Sequence, residues 1–134
     1  MNTKLLMVSS ALIMGITGIV LTFLPQETAK FFGWPASSAI AIQVIGALYF
    51  GFAMTNWIAK SHLIGGIYGR PVLIGNISHY IIAALALVKF SIKGASGITI
   101  LIVTVIYSVF AISFVYLFFA NPLKGVHDPI PFKK

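Results

Sequence analysis

A chain of 134 residues that is 59% hydrophobic and only 8% charged, with a mean hydropathy of +1.02, has too little charge to cover a water-soluble domain. Its net charge of +7 comes from nine cations less two acids; apart from the terminal Lys133–Lys134 the cations are scattered singly beside apolar runs, which excludes the clustered basic face of a nucleic-acid binder and suits contact with lipid headgroups. Cysteine is absent, which excludes disulfide exchange, thiolate metal sites and covalent haem attachment.

Four apolar runs, at residues 5–24, 38–59, 71–90 and 97–120, approach or exceed the length of about 20 residues that a bilayer core requires. Backbone groups in lipid must be satisfied internally, so each run predicts a helix. The first follows MNTK and is too long for a signal-peptide core; with no small-x-small cleavage pattern before PQETAKFFGW, it is expected to be retained. Its Ala11, Gly15, Gly18 and Thr22 form a stripe of small residues suited to close helix contact.

The segment PQETAKFFGWP predicts a short interfacial helix. Pro25 opens it, Glu27 stands in its first turn, Lys30 stands near its last, and Gly33 can close it in the left-handed conformation. Phe31, Phe32 and Trp34 would anchor it among headgroups. In the second run Ala47, Gly51 and Thr55 predict a packing stripe, and Gln43 is expected to bond another helix. The next loop, KSHLIGGIYGR, is glycine-rich at Gly65, Gly66 and Gly69. The third run carries Pro71 in its first turn and aligns Asn76, His79, Ala83 and Ala86. The fourth offers a weaker stripe of Thr104, Ser108 and Ala111. Three prolines in the tail 121–134 rule out a further span there. The two halves show no internal repeat, so the inverted-repeat logic of many transporters has no support.

An even number of spans puts both termini on one side. Lys4, Lys60, Arg70, Lys124, Lys133 and Lys134 lie there, against Lys30, Lys89 and Lys93 opposite, where Glu27 offsets one charge. The excess of cations predicts cytoplasmic termini.

The candidate functional residues gather around GRPVLIGNISHY. Asn76, His79 and Tyr80 share one helical face, and Tyr49 and Asn56, seven apart on the second run, share another. One reading makes Asn56, Asn76 and His79 interhelical glue. The other is a ligand pocket of Asn56, Asn76, His79, Tyr80 and Tyr49 with Arg70 at its mouth, suited to an anionic headgroup or a quinone carbonyl. His62 and His127 fall outside the runs, so His79 has no second membrane ligand for haem or zinc, and no metal is expected.

Glu27 and Asp128, the two acids, also fall outside the runs. Carboxylate-coupled proton transport and paired-carboxylate catalysis therefore lack their groups. Ser78 and His79 diverge by about 100° on a helix and share no site. GGIYGR lacks the strand–helix context of a phosphate loop.

The arrangement of four runs, with LPQETAKFFGW after the first, GALYFGFAMTNW in the second and GRPVLIGNISHY opening the third, resembles the small DoxX-like membrane proteins of bacteria. The likeness extends to about residue 120. Some members of that group are small membrane subunits of quinone-reducing enzymes, and related animal proteins assist receptor assembly. The resemblance directs attention to Asn56, Arg70, Asn76 and His79. The absence of acids from the runs departs from an enzymatic pattern.

The sequence thus predicts an all-α membrane protein: a four-transmembrane-helix bundle with a short interfacial helix in its first loop, forming a single domain over 1–134. The expected role is an accessory or assembly subunit, or a binder of a lipid-like ligand, with no catalytic residues and no cofactor, in the bacterial inner membrane. Its expected partners are membrane lipids and a larger membrane protein or further copies of itself. The alternative is a quinone-associated subunit of a redox enzyme. An oligomeric pore or transporter ranks last, because the runs lack charges to select ions.

Overall fold

The computed structural model describes residues 2–61, 69–93 and 97–120. The expectations for Gly65, Gly66 and the tail 121–134 lie outside these residues. The described residues form helices and their connections, as predicted. Four of the helices are long and apolar enough to cross a membrane, as in an integral membrane protein. The chain forms two compact units, Met1–His62 and Leu63–Lys134.

The first unit begins with α1 (Thr3–Phe23), where the Asn2 side chain accepts a hydrogen bond from the Leu5 amide at 3.3 Å. This cap satisfies one of the amides that a helix start leaves without an intrahelical partner. Pro25 then starts α2 (Pro25–Phe31) directly, with Glu27 in its first turn and Lys30 in its last, both matching the helix dipole. Gly33, at φ +67°, turns the chain out of α2. Its amide donates to the Lys30 carbonyl at 3.1 Å, and the Trp34 amide donates to the Ala29 carbonyl at 2.8 Å. These two bonds are the paired closure of a Schellman motif, and a residue with a Cβ would be strained at that φ. A 3₁₀ turn, Ala36–Ser38, leads into α3 (Ala39–Ala59).

Helices α1 and α3 run antiparallel in tight contact. A Cβ at Gly46 would lie 2.5 Å from Thr22 Oγ1, 2.8 Å from the Thr22 nitrogen and 3.0 Å from the Gly18 carbonyl oxygen. One at Gly18 would lie 2.8 Å from the Phe50 nitrogen. Backbone meets backbone at this crossing, so only glycine fits without displacing a helix. Gly15 differs: a Cβ there would meet Ala53 Cβ at an ordinary 3.5 Å. The Gln43 amide reaches the Thr22 carbonyl at 3.4 Å, the bond to another helix that the sequence predicts.

The expected stripe on α3 is offset from the face in contact. Ala47, Gly51 and Thr55 are exposed, whereas Ile42, Gly46, Ala53, Asn56 and Ala59 are buried. The two rows differ by about a quarter turn of helix, and Gly46 selects the one that α1 can approach.

The second unit pairs α4 (Gly69–Ile92) with α5 (Ile98–Ala120) through aromatic side chains. Tyr80 is buried and stacks on Phe110, with centroids 4.9 Å apart at 18°, and on Phe114 at 5.4 Å and 14°. Nearer the other end Ser91 Oγ and Thr104 Oγ1 share a hydrogen bond at 3.2 Å. Thr104 and Ala111 of the predicted α5 stripe are buried. On α4 the buried row is Leu73, Asn76, Tyr80 and Ala84, while Ala86 of the predicted row is exposed.

Candidate functional site

Within the first unit, Asn56 stands in the last turn of α3 and is fully buried. Its Nδ2 donates to Ser10 Oγ on α1 at 2.9 Å and faces Met14 Sδ at 3.8 Å. Ser10 in turn donates to Met14 Sδ at 3.7 Å. A primary amide among apolar helices is costly unless it is hydrogen-bonded, and in lipid a neighbouring helix is the usual source of a partner. Tyr49 lies two turns earlier on α3 and is half-buried.

Within the second unit, Arg70 occupies the first turn of α4 and is exposed. Asn76 is buried, and its Nδ2 donates to the Val72 carbonyl one turn back at 2.8 Å. His79 is half-buried, with its ring edge-on to Tyr80 at 5.2 Å and tilted against Tyr107 at 5.8 Å. Tyr80 and Tyr107 are themselves 5.4 Å apart. Two of the three rings in contact, His79 and Tyr80, come from α4 and the third, Tyr107, from α5, while Asn76 one turn before Tyr80 is buried beside its own helix.

The arrangement supplies hydrogen-bond donors, and a neutral His79 imidazole adds one acceptor nitrogen. Imidazole and phenol can each donate to a carbonyl or phosphoryl oxygen. Asp and Glu are absent from the described residues of this unit, and among all described residues no three metal-ligating side chains gather.

Two sets of residues escaped the sequence reading. Ser10 and Met14, the partners of Asn56, follow Gly18 backwards at steps of four, so the row that carries the glycine crossing also marks them. Tyr107, Phe110 and Phe114, which receive Tyr80, recur at steps of three and four on α5. In a helix that is apolar all round, that row has no contrast to reveal it.

Comparison with family models, with curated proteins and with solved structures finds no match to this chain.

Proposed function

We propose that this chain is a small integral membrane accessory or assembly subunit, or a binder of a lipid-like ligand, with no catalytic chemistry of its own. The Asn56–Ser10 bond carries this reading: the amide most deeply buried in the first unit joins one helix to another. Asn76 likewise spends a donor on its own helix. An interhelical bond such as Asn56–Ser10 holds a scaffold together. The resemblance to DoxX-like proteins, a place in the bacterial inner membrane and cytoplasmic termini belong to the same proposal.

Gentle extraction from native membranes tests it. A stoichiometric larger membrane protein, or a retained lipid-like molecule, is the expected result. A chain that purifies free of both refutes the reading. Reporter fusions at the C-terminus test orientation, and a reporter active only outside the cytoplasm overturns that part.

A second reading, a quinone-associated redox subunit, is favoured by one observation. His79 lies against Tyr107, which places an imidazole and a phenol close enough to serve one quinone carbonyl. Under it, added quinone raises the melting temperature of the wild type and loses that effect in His79→Ala. Equal melting with and without quinone removes this reading.

A further inference from the structure

The antiparallel run of α1 and α3 brings the start of one helix to the end of the other. Lys4 stands exposed in the first turn of α1, where a cation opposes the helix dipole. Lys60 closes α3, its amide donating to the Asn56 carbonyl at 3.1 Å. Its ammonium does not extend freely into water: it rests over the Trp57 ring, 2.8 Å from the centroid. Burial, and then the like charge of Lys4, hold that ammonium below the ordinary lysine pKa. Among the described residues of this unit the sole carboxylate is Glu27, in α2 at the opposite end of the hairpin. Two like charges therefore meet at this end of the hairpin, one of them on an aromatic floor, and no carboxylate among the described residues of this unit accompanies them.

The end of a membrane-spanning hairpin lies at headgroup depth, where the abundant anion is lipid phosphate. We propose that Lys4, Lys60 and Trp57 form a binding site for the headgroup of an anionic phospholipid. The two ammonium groups face the phosphate and the indole supports the neighbouring glycerol region. Zwitterionic headgroups present the same phosphate beside a cation of their own, which two lysines disfavour. The site belongs to the first unit alone and stands whichever role the second unit has.

Native mass spectrometry of the full-length protein, released from micelles holding equal amounts of phosphatidylglycerol and phosphatidylcholine, tests this. The wild type should retain phosphatidylglycerol in preference. Lys4→Gln with Lys60→Gln should weaken that retention by roughly fivefold for each lysine neutralised. Lys60→Arg and Lys30→Gln should both behave as the wild type. On the unaltered protein, added salt should erode the preference, because the attraction is between partly exposed charges. Equal retention of both lipids, retention undiminished in the double variant, or indifference to salt each overturns the assignment. So does inorganic phosphate that raises the melting temperature as far as phosphatidylglycerol, which would make the occupant a free anion.

Discussion

The two units solve one problem in opposite ways. Helices in lipid gain little from hiding apolar surface, since the solvent is itself apolar, so contact has to come from shape and from hydrogen bonds. In the first, side chains are removed: Gly18 and Gly46 let α1 and α3 touch through their backbones, and Asn56 adds a bond to Ser10. In the second, large side chains are added: Tyr80 lies between Phe110, Phe114 and Tyr107, and the helices meet through rings. A glycine crossing fails by overfilling, and a stack of rings fails by emptying. The comparison teaches that the same substitution, to alanine, is harmful for contrary reasons in the two places.

Tyr80→Ala should have the largest effect. It empties a buried site lined by four rings, those of His79, Tyr107, Phe110 and Phe114, and with lipid as the reference for transfer, most of the cost is the cavity, about 3 kcal/mol. Near-ultraviolet circular dichroism during titration with denaturing detergent measures it. A midpoint equal to the wild type would mean the rings are only neighbours. Gly46→Ala comes next, at about 2 kcal/mol, because the new methyl meets not only the Thr22 hydroxyl but also the backbone of Thr22 and Gly18, which cannot swing away. Both tryptophans, Trp34 and Trp57, belong to the first unit, so their fluorescence reads this loss directly. An unshifted fluorescence transition would show that α1 and α3 separate at no cost and would dissolve the contrast.

Asn56→Ala should cost about 0.6 kcal/mol, the average for an interhelical bond in lipid, and no more than about 1.7. The Ser10 hydroxyl can turn to a carbonyl of its own helix, which limits the loss. Ser10→Ala and the double variant complete a thermodynamic cycle by thermal melting in detergent, and strict additivity would deny that the pair is coupled. Gly15→Ala should have the smallest effect, within about 0.5 kcal/mol, since its methyl has ordinary room beside Ala53. A large loss at Gly15 in the same melts would extend the glycine crossing by a turn beyond where it now ends.

What the sequence disclosed follows from how local each signal is. Pro25, Glu27, Lys30 and Gly33 act within one short helix, and α2 with its left-handed closure was legible residue by residue. The long helices were legible in extent, to within two residues at each end, because length and apolarity define them. The face each presents was not. Ala47–Gly51–Thr55 and Gly46–Ala53 are equally plausible rows of small residues, and only the position of Gly18 on another helix chooses between them. The same holds for the candidate residues: spacing placed Asn76, His79 and Tyr80 on one side of α4, but the ring partners from α5 depend on a pairing that no single helix encodes.

Trp34 and Trp57 stand just before the start and near the end of α3, and both are about half exposed. From its first residue to its last, the 21 residues of α3 rise about 31 Å. That equals the hydrocarbon thickness of an ordinary bilayer, and indole rings favour its two boundaries. A rigid rod with an anchor at each end is a gauge. In a thicker bilayer one indole must sink into hydrocarbon or the lipid must thin around it; in a thinner one the hairpin must tilt. Each ångström of mismatch costs a fraction of a kcal/mol, enough to sort a protein among membranes. The first hairpin, locked by its glycines, cannot relieve that mismatch by sliding one helix along the other, so bilayer thickness acts on it as a whole.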